Sequence, residues 1–390
     1  MFADSYMLLY FISLLKRNFS IYMQVPSYTS TNIDSQKQAS NNPTGFISLL
    51  LLATAIPFIL GPLLRNVYTD SEIAQQFFYL ILMVGGYHQV ASVYLYFDKD
   101  AKKIINKHKW YFYFWPLMIA SSIMLFYMVD NLWLESYLLQ SYAMLTIYHY
   151  QKQNIGVYSL LAPTLGPERM QPIERHLIMG GAIVGMLIFT WPIERTLFQG
   201  TVFSTYKDGF ESASLLILCS LTLYTLYYIC KNYLFIQASK RQYLRALLLL
   251  ALVTFFWPML VIEDKQTAFF MYATAHGLQY YLFIAIASLN SNKIQQLLDT
   301  EHIKGVFLRY YNLILFVVLT ALSAYLWKQL YQVNPPAIFN FSESEIKRAT
   351  FGLASSISLI HYWVDGRIWK MRHQDSRDFM RSKFMFLFAN

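Results

Sequence analysis

Four histidines lie inside apolar, membrane-length segments of this chain: His88, His149, His276 and His361. Imidazole is the commonest metal ligand among side chains and carries protons near neutral pH. In a bilayer an ionisable group is unfavourable and marks a functional site by default. Each of the four has polar company at helical spacing. His361 and Asp365 are i and i+4, as are His149 and Gln153, and His88 and Ser92, while His276 is followed by Gln279 and Tyr280. The chemistry this pattern points to is a metal centre, with the four imidazoles binding one metal or sharing two. Asp365 would be a further ligand, or the acceptor that orients one of the rings. Asp365 and Tyr280 are the candidate catalytic residues. Gln153, Gln279 and Tyr87 are candidates for contact with substrate, and Tyr94 would help line the same pocket. Imidazole with carboxylate suits iron, zinc or manganese; iron is the first expectation, and haem held by axial histidines is the alternative. Packing competes with this reading, because a membrane histidine often hydrogen-bonds a neighbouring helix. That account serves a single histidine well and four less well.

The elements that must position these residues follow from composition. The chain has 390 residues, 56% hydrophobic and 14% charged, against about 25% charged in an ordinary soluble domain. Continuous apolar runs of about 20 residues recur, as a hydrocarbon layer of about 30 Å requires. The expected fold is an all-α bundle of ten transmembrane helices, near 46–64, 73–97, 110–129, 132–150, 177–193, 213–230, 244–262, 268–290, 306–328 and 348–369. Lysines 99, 102, 103, 107 and 109, Lys231, Lys240 and Arg241 fall on one set of loops, and Arg372, Arg377, Arg381 and Lys383 on the tail. The positive-inside rule then places both termini in the cytoplasm. The net charge of +9 reflects this asymmetry, so no nucleic-acid partner is expected.

All four histidines fall on even-numbered spans, which run in the same direction. Their positions within those spans differ by up to nine residues, about 13 Å along a helix axis, a spread that helix tilt can reduce. Convergence on one inward-facing pocket is therefore expected. His108, His176, His302 and His373 fall in predicted loops and read as solvated. Trp115-Pro116, Trp191-Pro192 and Trp257-Pro258 place a kink signal in odd-numbered spans.

The chain divides into an N-terminal interfacial or disordered segment (1–45), a membrane domain (46–370) and a basic cytoplasmic tail (371–390). The apolar run 6–15 is too short to span and has its charges on the wrong flank for a secretory signal. It reads as an interfacial helix, or as sequence upstream of a true start at Met23. Cys219 and Cys230 share one segment about 16 Å apart, too far to pair. The string from His361 to Lys370, H-Y-x-x-D-G-x-I-W-K, resembles helix endings of uncharacterised bacterial multi-span membrane proteins, and the string from Tyr148 to Gly156 is similar to the same group. The resemblance covers three short stretches. It implies a multi-pass protein of a bacterial inner membrane and carries over no activity.

Several classes are set aside. There is no histidine box of the desaturase kind, no H-E-x-x-H, no G-x-S-x-G and no Walker A sequence. The expected function is an iron-dependent membrane oxidoreductase acting on a lipid or isoprenoid, its partners being membrane lipids and a lipidic small molecule. A haem electron-transfer protein, a proton-coupled transporter and a lipid or acyl transferase are the alternatives.

Overall fold

The computed structural model of the chain describes residues 44–65, 88–129, 132–166, 168–197, 207–234, 240–262, 265–290, 303–330 and 343–388. Tyr87, the N-terminal segment and most of the predicted second span lie outside these residues. Everything described is helical or connecting, with no strand among the described residues. In chain order the helices are α1 (Thr44–Arg65), α2 (Lys99–Lys107), α3 (Trp115–Met128), α4 (Leu132–Leu165), α5 (Pro172–Leu197) and α6 (Lys207–Ile229). They are followed by α7 (Lys240–Val253), α8 (Pro258–Val261), α9 (Lys265–Leu289), α10 (Ile303–Leu330), α11 (Glu343–Ile368) and α12 (Gln374–Lys383). Residues 88–91 are helical and run into a 3₁₀ segment, Ser92–Tyr96.

Three helical stretches are long and apolar enough to cross a membrane: Trp110–Met128, Glu211–Tyr233 and Gln242–Leu260. The first two turn large apolar side chains outward, among them Trp110, Leu117, Leu125, Leu216, Leu223 and Tyr227. A lipid-facing surface needs such side chains, and a soluble surface would bury them.

Helix ends depart from the expected spans where local chemistry dictates. α4 continues through residues 150–165, expected as loop, and stops at Gly166 and Pro167, a strong termination signal. The predicted loop 98–109 contains α2. Asp98 caps it, its Oδ1 accepting from the backbone N–H of Asp100 and of Ala101, each at 3.0 Å. The tail carries α12, docked through Lys383, whose buried Nζ lies 2.9 Å from Asp98 and 3.1 Å from Asp100.

The three Trp-Pro pairs behave differently. Pro116 follows a π-helical turn at Trp110–Phe114, and the helix runs on through Pro192. Pro258 separates α7 from α8, because its ring displaces the carbonyl four residues back and it donates no N–H. One carbonyl next to that break, that of Leu252, is taken up by a side chain that also binds α5. Gln151 Nε2 on α4 donates to Leu252 O at 3.2 Å and to Ile178 O at 2.6 Å. α5 passes so close that a Cβ at Gly181 would stand 2.8 Å from Val253 O. At Gly352, α11 approaches α3 in the same way, with Ile123 O and Met124 Cα each 3.0 Å from where a Cβ would be.

Candidate metal centre

The four histidines come from four elements: His88 from the short helix before Ser92, His149 from α4, His276 from α9 and His361 from α11. Their rings converge. Centroid separations are 4.6 Å for His88–His276, 5.0 Å for His88–His361, 5.0 Å for His149–His276, 5.2 Å for His149–His361 and 6.2 Å for His276–His361. Donor atoms of His88, His276 and His361 lie within 4.8 Å of one another, and so do those of His149, His361 and Asp365.

Asp365 adjoins the rings through one oxygen. Its Oδ2 lies 3.6 Å from His361 Nε2 and 3.9 Å from His149 Nε2. Its Oδ1 accepts from Tyr280 O–H and from Trp369 Nε1–H, each at 3.1 Å. Tyr280 O also meets Ser92 Oγ at 2.9 Å, and Ser92 Oγ meets His361 Nδ1 at 2.6 Å. Asp365, Tyr280, Ser92 and His361 thus form a closed chain of contacts beside the rings.

The remaining nitrogens are treated differently. His149 Nε2, His361 Nε2 and both ring nitrogens of His276 are buried without a hydrogen-bond partner among the described residues. Burying an unpaired polar atom costs about 1–3 kcal/mol, and native proteins rarely tolerate several together. Aromatic rings enclose the group: Tyr362 stacks on His149 with centroids 4.0 Å apart, and Tyr150 lies 4.3 Å from His276.

The polar companions expected along each helix are used between helices. Gln153 Nε2 donates to Gln279 Oε1 at 3.0 Å and to His276 O at 3.3 Å. Gln279 Nε2 donates to Thr54 Oγ1 on α1 at 2.7 Å. The two glutamines, expected to meet substrate, therefore join α4, α9 and α1 behind His276. Ser92, noted as a neighbour of His88, serves His361. Tyr94 does not line the site: it packs on Phe316 and reaches Asp98 at 3.4 Å. Trp369, Thr54 and Tyr362 belong to the site's surroundings and are absent from the sequence expectation. Trp369 was findable, being one turn beyond Asp365 on the same face.

Comparison with protein-family models, with curated proteins and with solved structures finds no match for this chain.

Proposed function

We propose that this chain is a multi-pass membrane metalloenzyme, with His88, His149, His276 and His361 holding one metal ion. The observation that carries the reading is the convergence of rings from four elements, with buried nitrogens left unpaired at the point of convergence. Ring spacing is the test of fit. A metal–nitrogen distance of about 2.1 Å puts each ring centroid about 3.2 Å from the ion, so rings at right angles stand about 4.6 Å apart and opposed rings about 6.4 Å apart. The five separations, 4.6–6.2 Å, fall in the range of rings around one ion, and the donor atoms gather in two triads that share His361, one with His88 and His276 and one with His149 and Asp365. The same spacing disfavours haem. A macrocycle between the opposed rings would need the space in which His88 and His149 stand.

Iron is the metal we favour, and when bound it would supply redox and Lewis-acid chemistry. The chain's own residues do the rest. Asp365 presents a carboxylate oxygen to His149 and His361, favouring a cation between them. Tyr280 holds the other carboxylate oxygen in place. Tyr150 and Tyr362 pack their ring faces on His276 and His149 and make the surroundings of the centre apolar, which favours a lipid or isoprenoid substrate. Ten spans with both termini in the cytoplasm of a bacterial cell is the topology we favour, supported by the basic residues of α2 and the tail.

The deciding experiment is metal analysis with an optical spectrum on the detergent-purified protein. About one non-haem ion per chain is expected, lost when the four histidines are replaced by alanine. A metal-free wild type, or the same metal content in a folded quadruple variant, overturns the reading, and a haem absorption band would replace the ion with a macrocycle.

A further inference from the structure

We propose that Ser92 and Tyr280 are positioning residues, fixing His361 as the tautomer with its proton on Nδ1 and its Nε2 lone pair facing the centre. The use made of that lone pair rests on the metal reading above; the tautomer assignment does not.

Donor counting gives the direction of each hydrogen. Trp369 Nε1 can only donate, so Asp365 Oδ1, 3.1 Å away, is an acceptor. Tyr280 has one hydroxyl hydrogen, and it goes to that same oxygen at 3.1 Å. The Tyr280 oxygen must then accept across its 2.9 Å contact with Ser92 Oγ, which uses the only hydrogen Ser92 has. Only the imidazole can supply a hydrogen to the 2.6 Å contact between Ser92 Oγ and His361 Nδ1. A neutral imidazole protonated on Nδ1 is a pure acceptor at Nε2. In His361 that nitrogen is buried, unpaired among the described residues, and 3.6 Å from Asp365 Oδ2. With Asp365 as a carboxylate, which carries no hydrogen of its own, the reversed chain would leave the contact between Tyr280 O and Asp365 Oδ1 without one.

The arrangement also explains a division of labour on two elements. One short segment presents His88 to the centre and, one turn later, Ser92 to the back of His361. α11 supplies the ring and the carboxylate that begins the chain, and Trp369, the residue just past its end, supplies the indole that fixes the carboxylate, at successive i+4 positions. A ligand ring whose far nitrogen is held is turned to one orientation and made more basic at the near nitrogen.

The test uses the full chain, chelator-treated, with ¹⁵N-labelled histidine. Nitrogen NMR separates the two neutral tautomers, and the His361 signal is the one lost in His361→Gln. The wild type should show Nδ1–H. Ser92→Ala and Tyr280→Phe should abolish that preference, and should weaken Co(II) binding, read from its visible spectrum, by about 10–100-fold. Ser92→Thr, which keeps the hydroxyl, should restore both. Unchanged signals from the other histidines show that a variant is folded. An Nε2–H wild type overturns the proposal, as does a folded Ser92→Ala protein with wild-type tautomer and affinity. A wild type that binds no metal yet shows Nδ1–H would defeat the metal reading and leave the assignment of Ser92 and Tyr280 standing.

Discussion

Two clusters of polar groups are buried in this molecule, and they are finished in opposite ways. In one, Arg245 of α7 and Glu174 of α5 form an ion pair at 2.9 Å with side chains 2% and 0% exposed. Every charged atom there is matched. Arg245 donates to Tyr158 O, to the carbonyls of Glu168 and Arg169, and to both carboxylate oxygens. Glu174 also accepts from Tyr158, Tyr233 and the backbone N–H of Gln171. The histidine cluster is equally buried, yet four of its ring nitrogens have no partner among the described residues. A closed network of that kind holds helices together and has no valence left for a ligand. An open one is unfavourable in the folded chain by itself, and its nitrogens become an asset once a cation accepts their lone pairs. The contrast separates polar groups that serve the fold from polar groups that serve a site.

The largest effect should come from opening the closed cluster. Glu174→Ala strands a buried guanidinium, and removing one partner of a buried pair costs about 3–5 kcal/mol. Thermal unfolding in detergent should show that loss, with metal per folded chain unchanged. A drop in metal content at full stability would mean that the two clusters are coupled. Filling the open cluster with apolar volume should do the reverse. His276→Leu removes two buried unpaired nitrogens, so the metal-free protein should be at least as stable as wild type, since each such atom costs about 1–3 kcal/mol. Its metal affinity should fall more than about 100-fold, beyond the range of changes behind a ligand. A destabilised metal-free variant would show that His276 packs as the competing sequence reading holds.

That contrast was partly legible in the sequence, for a physical reason. Histidine in an apolar helix is rare enough to stand out, so the four residues whose rings converge were visible from type and position alone. Asp365 was visible as the acid one turn beyond His361. The partners were not, because spacing along a helix reveals only same-helix neighbours. Ser92 falls beside His88 in sequence and serves His361; Gln153 falls beside His149 and serves His276 and Gln279. The closed cluster was invisible for the same reason, its residues lying on α4, α5 and α7 and beside α6. The extension of α4 past residue 150 was missed because hydropathy falls at Gln151–Asn154 while the helix continues to Leu165.

A smaller change tests the edge of the open cluster. Asp365→Asn keeps the shape and one acceptor for Tyr280 and Trp369, and removes the charge beside His149 and His361. Metal affinity should fall about 10–100-fold while the fold survives. Wild-type affinity would remove Asp365 from the site and leave a centre of imidazoles alone.

The smallest effect is expected at a third polar group, one that solvent reaches. Asp375 on α12 has its Oδ2 2.9 Å from Arg367 Nη2, 2.9 Å from His108 Nε2 and 3.9 Å from Lys107 Nζ. Partial burial alone would raise this carboxyl. The hydrogen bond with His108, the backbone N–H of Ser376 and the Arg367 charge outweigh that and hold it below the usual carboxylate range. The sign follows from linkage. A carboxyl held more acidic in the folded state stabilises it at pH values above the ordinary carboxylate value of about 3.9, and that contribution is lost as pH falls through the lowered value. The part of α12 docking that Asp375 contributes should therefore be constant near neutrality and be lost only in acid. Asp375→Asn should remove the acid dependence of that contribution and cost less than Glu174→Ala, because the Arg367 and Asp375 side chains keep 11% and 15% of their surface exposed against 2% and 0% for Arg245 and Glu174. Hydrogen exchange across residues 374–383 reads both effects. Metal content should not respond, since Asp375 touches neither buried cluster; a response would extend the open cluster from Asp365 through Arg367 to the tail.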